Sequence, residues 1–429
     1  MKKIFSWLYG AVVWLRNKLF DRGILPVEQF AVPVISVGNL TVGGTGKTPH
    51  TEYLIRLLSP NYRVAVLSRG YKRLSKGFVL ADATASAKTI GDEPFQMFRK
   101  FPNILVAVDS NRRRGIRHLL ALPEKQRPEV ILLDDAFQHR YVKPSLSILL
   151  MNSRRLPQND ALLPAGRLRE PAKNANRADI IIYTKCNSSL RTARNEAGSN
   201  PAEQLDCFGL YPRNDVPEFA TTYRYGDLLP VFDIRATARV ALTTNEKKAV
   251  LLLAGLADPT DFIAYVRKTY ATDLQTLIFP DHHHFTKRDA EEIEKAFKLV
   301  QTLVRRRLQP ASELEASLPA CSKAGALPLT RRSVDATPNN TNENVDATPN
   351  AELPLEGAEG LIITSEKDAV RLRENPFLSE HIKDAMFYLP IEVQFLEEQE
   401  EKFKQIIENH VKQFKRNSSV SASADSGSN

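Results

Sequence analysis

The chain has 429 residues, of which 42% are hydrophobic and 25% charged; that is enough apolar material for more than one core and excludes a disordered or fibrous chain. Its three cysteines, Cys186, Cys207 and Cys321, are odd in number and far apart, which excludes a disulfide framework and a cysteine-based zinc site. The excess of 59 Lys and Arg over 50 Asp and Glu suits an anionic partner, and its placement along the chain decides which kind.

Residues 1–22 read as a basic amphipathic helix. Lys2, Lys3, Arg16, Lys18 and Arg22 face only Asp21, while Ile4, Leu8, Ala11, Leu15 and Leu19 recur at helical spacing beside Trp7 and Trp14,. The apolar run from Trp7 to Leu15 is well short of the roughly 20 residues that span a bilayer. Arg16-Asn17-Lys18 stand where a signal peptide would need small residues,. Such a helix suits a membrane surface, with docking on its own domain as the other reading.

Residues 23–208 alternate short β-branched runs with helix-length segments. Val34–Val37, Val64–Leu67, Leu105–Val108, Val130–Leu133, Ile148–Leu150 and Ile180–Tyr183 are apolar on both faces, which predicts a mainly parallel sheet covered by helices. Ligands of such sheets gather at the carboxyl ends of the strands. Residues 209–233 loosen into an interdomain connection. A second, smaller α/β domain is expected over 234–416, interrupted by a flexible insert at 310–356 that carries the repeated Val-Asp-Ala-Thr-Pro-Asn,. Residues 417–429, mostly Ser, Ala, Gly and Asn, are expected to be a disordered tail.

The strongest chemical signal follows the first strand: Gly43-Gly44-Thr45-Gly46-Lys47-Thr48, with Pro49 opening a helix,. Glycines let backbone N–H groups close around phosphate oxygens, Lys47 supplies a cation to the terminal phosphates, and Thr48 offers a hydroxyl to Mg2+. The first glycine of the general P-loop pattern is Thr41 here. A P-loop NTPase-like α/β fold is therefore expected. Val130–Leu133 then delivers Asp134-Asp135 to the sheet end, as a magnesium-holding segment does,.

Arg112-Arg113-Arg114 follow another strand end, and Arg112 is either a ligand for a substrate phosphate or part of a solvated helix start,. Asp92 precedes Pro94 and so reads, on its residues alone, as a helix cap,. His139 reads as orienting the loop that carries the acids. Three adjacent histidines at His282, His283 and His284 cannot converge on one ion in regular structure,. Thr184-Lys185-Cys186-Asn187 raises the alternative of a GTPase, but Asn187 stands where guanine recognition needs a carboxylate. A nucleotide-gated module at the membrane surface is the other alternative. Basic and aromatic residues do not alternate on any nucleic-acid module, so no nucleic acid and no protein partner are predicted.

Five motifs occur in order: Val37 to Pro49, Ser68-Arg69-Gly70-Tyr71-Lys72-Arg73, Gly91-Asp92-Glu93-Pro94, Asp134 to Arg140, and Leu163 to Pro171. With Phe279-Pro280-Asp281-His282 and Thr364-Ser365-Glu366-Lys367-Asp368, they resemble the tetraacyldisaccharide 4'-kinases, the lipid A 4'-kinases of Gram-negative bacteria. Thr41 is expected within that family; Ala136 and the insert depart from it. The resemblance implies ATP and Mg2+ as cofactors and a lipid-linked disaccharide 1-phosphate as acceptor. It places the enzyme peripherally on the cytoplasmic side of the inner membrane. It also implies that Lys47 and Thr48 handle ATP and magnesium, that Asp135 and Glu170 serve the metal, and that Asp92 is the base with His282 as its partner.

Overall fold

The computed structural model describes residues 1–186, 216–232, 247–308 and 360–425; Asn187, Cys207, Cys321 and the insert 310–356 lie outside the described residues. In chain order, α1 (Lys2–Asp21) precedes β1 (Val34–Asn39), α2 (Lys47–Leu58), β2 (Val64–Ser68), β3 (Val79–Leu80), α3 (Ala87–Ile90) and α4 (Asp92–Lys100). β4 (Leu105–Val108), α5 (Arg112–Leu120), β5 (Val130–Asp134), β6 (Leu146–Asn152), β7 (Ile180–Thr184) and β8 (Glu218–Tyr225) come next. β9 (Leu229–Pro230), β10 (Lys248–Ala254), α6 (Thr260–Thr269), β11 (Ala271–Ile278) and α7 (Lys287–Leu308) follow. The chain closes with β12 (Leu361–Ser365), α8 (Glu366–Arg373), α9 (Glu380–Asp384), β13 (Met386–Leu389), β14 (Ile391–Phe395) and α10 (Glu400–Asp425).

Among the described residues the strands form two sheets. A nine-stranded sheet runs β14-β8-β7-β6-β1-β5-β2-β4-β3 and is parallel except where β14 meets β8 and β3 meets β4. A five-stranded sheet runs β11-β10-β12-β13-β9, parallel except at β9. Every residue of β1, β2, β5 and β7 is buried, which is why these strands read as unbroken apolar runs. Alternate residues serve the two faces. Ile35 and Val37 pack with Leu54, Ile55 and Leu58 of α2, whereas Val34 packs with Ile116 and Leu119 of α5,. β1 and β5 lie side by side with Val37 opposite Asp134, so the loops that follow them leave the sheet together.

The expected boundaries differ from the observed elements in three places. Residues 209–233 are not merely a connection, because β8 is an integral strand with Phe219, Ala220 and Thr221 buried. Residues 234–416 do not stay with the smaller sheet. β14 pairs with β8, and α10 buries Phe403, Ile407 and Val411 against the first core. Pairing is decided by complementary buried faces rather than by nearness in sequence, and the partners here are some 170 positions apart (Gln394 opposite Thr222),. The expected tail also begins too early, since the α10 backbone stays helical to Asp425; extending a formed helix costs little beside nucleating one,.

α1 lies on the first domain with its polar face inward. Ser6 Oγ donates to the Leu162 carbonyl at 2.8 Å, Tyr9 OH to that of Arg169 at 2.8 Å, and Arg16 to that of Gln138 at 3.0 Å. Asn17 and Phe20 are buried, while Ile4, Phe5, Trp7, Leu8, Val12, Trp14 and Leu15 are exposed. Among the described residues no helix is long and apolar enough to cross a membrane.

Candidate active site

The carboxyl ends of β1, β2 and β5 and the loops of the smaller sheet enclose a cleft of about 860 Å³. Gly43 through Pro49, Arg69, Glu93, Arg112, Asp134, Asp135 and Arg169 line it from one side; Leu256, Ala257, Asp281, His282 and Lys367 line it from the other.

The P-loop is shaped by its backbone. Gly46 caps α2 at φ +82°, a left-handed conformation, and an added Cβ there would lie within bonding range of the Tyr223 hydroxyl,. Buried Asn39, at the end of β1, donates from Nδ2 to Thr45 Oγ1 at 2.7 Å and fixes the loop from inside. Lys47 and Thr48 then open α2 at the mouth of the cleft, where N–H groups and the helix dipole favour an anion,.

The two acids of the neighbouring strand differ in state. Asp134 is buried, accepts from Ser68 Oγ at 3.1 Å on one oxygen and has no partner on the other. Burial, reinforced by the charges of Glu93 and Asp135, pushes its carboxyl up to about 7,. Asp135 sits at φ +48°, an uncommon conformation for a residue other than glycine. Burial opposes its ionisation, but Lys47 at 3.7 Å and Arg169, whose Nη1 lies 2.9 and 3.0 Å from its two oxygens, outweigh that and hold its carboxyl below the usual range. A buried oxygen without a partner beside an ionised carboxylate is what a hard cation would complete. Among the described residues no three acidic, histidine or cysteine side chains form a ready metal cage, so phosphate oxygens would have to supply the remaining ligands.

Glu170, expected at the metal, does not face the cleft. Asn174 Nδ2 donates to its Oε2 at 2.7 Å, and Arg177 pairs with the same oxygen. Leu168 pairs with Thr41 in a β-bridge, and Arg169 N donates to the Leu40 carbonyl. In such extended chain successive side chains alternate in direction, so when Arg169 turns to Asp135 its neighbour turns away. Arg112 lines the cleft but is 3% exposed, and its guanidinium donates to the carbonyls of Asp109 at 3.1 Å and Asp134 at 3.2 Å. It braces the ends of β4 and β5, and its Nε alone has no partner. His139 is neutral: burial and then the charges of Arg112, Arg16, Arg113 and Arg69 push it down to about 4.

Asp92 opens α4, and the cap position belongs to Gly91 with no side-chain capping bond, so the reading of Asp92 as a helix cap fails. Its Oδ2 instead lies 3.3 Å from His282 Nδ1 and 2.8 Å from both Nε and Nη2 of Arg371. Burial would raise its carboxyl; the hydrogen bond from His282 and then the charge of Arg371 hold it below the usual range instead. Arg371, Lys367 and Glu93 escaped the sequence reading. Lys367 and Glu93 lie inside motifs that it quoted, and Arg371 stands one helical turn beyond Lys367,.

Comparison with known proteins agrees across the chain. The family model described as tetraacyldisaccharide-1-P 4'-kinase matches residues 2–305. Relatives named tetraacyldisaccharide 4'-kinase are 43% identical in Bacteroides thetaiotaomicron, over 97% of this chain and 94% of the relative, and 44% identical in Phocaeicola vulgatus, over 97% and 96%. Among solved structures, Aquifex aeolicus LpxK in complex with ATP is 27% identical, covers 95% of this chain and 97% of its own, and superposes with a TM-score of 0.59.

Proposed function

Because the chain belongs to the tetraacyldisaccharide-1-P 4'-kinase family, we propose that it transfers the γ-phosphoryl group of ATP to the 4'-hydroxyl of a tetraacyldisaccharide 1-phosphate in lipid A biosynthesis. The observation that carries this reading is one cleft with the P-loop and Glu93 on one wall and His282 on the other, where His282 reaches Asp92 beside Glu93. The alternatives of a GTPase or a non-catalytic nucleotide-gated module account for neither the pair nor the kinship.

The P-loop amides from Gly43 to Gly46 cradle the phosphates, and Lys47 leaves Asp135 to neutralise the charge on the transferring group,. Thr48, Asp135 and the partnerless oxygen of Asp134 would hold Mg2+, which, when bound, neutralises the terminal phosphates. Phosphoryl transfer through a loose transition state asks the protein for alignment, charge and a proton acceptor. Asp92 is that acceptor. All three donors on its carboxylate crowd Oδ2, and among the described residues none donates to Oδ1, which leaves that oxygen for the sugar hydroxyl. The hydroxyl proton moves to Oδ1 as the oxygen attacks the γ-phosphorus and the bond to ADP breaks. Arg112 keeps only its Nε without a partner, the donor it would offer a substrate phosphate.

We propose that the enzyme sits peripherally on the cytoplasmic side of the membrane that holds its substrate, where ATP is supplied; the exposed apolar face of α1 supports this reading. Detergent-solubilised protein incubated with labelled ATP, magnesium and a lipid-linked disaccharide 1-phosphate should transfer label to the lipid. Label confined to free phosphate would sink the kinase reading.

A further inference from the structure

The base is held from the far side of the cleft by a relay that ends in the backbone of the smaller sheet. Gly255, after β10, donates its N–H to Asp368 Oδ2 at 2.8 Å, and Ser365 Oγ donates to the same oxygen at 2.6 Å. A Cβ at position 255 would stand 2.7 Å from Asp368 Oδ1, so only glycine permits this approach,. Asp368 is fully buried, and its Oδ1 accepts from Arg371 Nη1 at 3.0 Å. Arg371, whose side chain is 4% exposed, spends its remaining edge on Asp92, with Nε and Nη2 both 2.8 Å from Oδ2. A planar guanidinium fixed at one edge by a buried carboxylate presents the other edge in a set direction.

The histidine is set by the same helix. Lys367 Nζ lies 3.0 Å from His282 Nε2. An ammonium can only donate, so Nε2 accepts and the ring proton sits on Nδ1, directed at Asp92. With that tautomer the 3.3 Å approach of Arg371 Nη2 to Nδ1 is a contact and not a hydrogen bond. One oxygen of Asp92 is thereby saturated from two directions while the other stays available.

We propose that Arg371, anchored by Asp368, is a positioning residue for phosphoryl transfer: it locks the Asp92 carboxylate with Oδ2 turned to the smaller sheet and Oδ1 turned to the acceptor hydroxyl. The inference rests on Asp92 being the base. Arg371 also keeps that base ionised, since its charge works against burial. The other charged or titratable groups around Asp92 are Lys367 and Asp368 on α8, Asp281 and His282 before α7, Tyr71 and Lys72 after β2, and Glu93 on its own helix.

Four forms of the full chain, the wild type and Arg371→Gln, Arg371→Lys and Asp92→Asn, are to be compared by steady-state kinetics on ATP and lipid acceptor between pH 4 and 9, with melting temperatures as a control on folding. Arg371→Gln should lower kcat roughly 100-fold with the KM for ATP little changed. Its kcat should begin to fall on the acid side about one pH unit higher than in the wild type, because removing a cation raises the pKa of the carboxylate. Arg371→Lys should recover about tenfold of the lost rate and return the acid limb toward its original place. An Arg371→Gln enzyme with ordinary kcat, or one whose loss is the same at every pH and is not relieved by lysine, overturns the inference while an inactive Asp92→Asn leaves the base in place. If Asp92→Asn itself turns over normally, the underlying reading of Asp92 fails first.

Discussion

The long helices at the two ends of the chain are built inside out with respect to each other. α10 turns Phe403, Ile407 and Val411 inward, four positions apart, onto Phe219 and Phe395, and pairs Lys404 with Glu400 and Lys412 with Glu408 outside. α1 turns Ser6, Tyr9, Arg16 and Asn17 to the domain and leaves two tryptophans and five other large apolar side chains outside. Burial of apolar surface contributes about 25 cal/mol per Å², so a helix with water on its outer side would settle the other way round. The difference is what the proposed attachment requires, with α10 facing water and α1 the interface of a lipid layer.

Substitutions on the two apolar faces should therefore fail in different assays. Phe403→Ala should cost about 3–5 kcal/mol of folding stability, read as a lower melting temperature or denaturant midpoint, because it opens a void among three rings. The double change Trp7→Ser with Trp14→Ser should leave stability within about 0.5 kcal/mol. It should weaken sedimentation with anionic liposomes roughly ten- to a hundredfold, equivalent to about 1.5–3 kcal/mol for the two partly inserted rings. Unchanged sedimentation, or a melting temperature that falls as far as that of Phe403→Ala, would make α1 an ordinary docking helix.

Acid should separate the helices again. α10 carries His410, half-buried against Ser145 with its Nε2 2.9 Å from Oγ, and burial lowers its pKa. In the core beneath, fully buried His50 is pushed down to about 4 by burial, against the hydrogen bond to the Gly46 carbonyl. Folded pKa values below the ordinary 6.5 mean that the unfolded chain takes up protons first. The stability is complete above pH 6.5 and is lost as pH falls toward 4. His50 alone accounts for about 2 kcal/mol between pH 7 and 5. α1 has no histidine, so its liposome attachment should persist over that window while denaturant midpoints fall. Midpoints that stay flat from pH 7 to 5 would refute the neutral buried histidines.

What could be read in the sequence follows from the same physics. The parallel strands β1, β2, β4 to β7 and β10 to β13 and the P-loop were legible because burial on two faces and phosphate-binding backbone each leave a local pattern, Val34–Val37 and Gly43–Thr48 being the clearest. The return of β14 and α10 to the first core was not, since it depends on β8, whose buried Phe219 to Thr221 sit in a stretch broken by Pro and Asn. At the site, residues that act through their own loop were visible, the Asp92–His282 partnership across the cleft came only through the family resemblance, and Arg371 came from neither. Arg371 reaches Asp92 from 279 positions away, and no local pattern announces such a partner. Glu170 stands one step of backbone alternation from Arg169 and is engaged through Oε2 with Asn174 and Arg177, a local packing that its motif does not reveal.

The smallest change tests whether the two faces of α1 have separate duties. Tyr9 OH donates to the carbonyl of Arg169 at 2.8 Å, and the Arg169 side chain holds Asp135, which faces Lys47. The helix proposed to meet lipid is thus three contacts from the P-loop lysine. Tyr9→Phe removes one hydrogen bond, a loss of about 1 kcal/mol, without altering the exposed face. Turnover in detergent should fall a few-fold, and the magnesium concentration for half-maximal rate should rise, as Arg169 and Asp135 lose their fixed setting. Liposome binding should not move. The tryptophan double variant should show the reverse, with binding impaired and turnover in detergent retained. If Tyr9→Phe keeps its turnover and magnesium dependence, α1 anchors the enzyme without informing the site, and its inward face serves only to hold it in place.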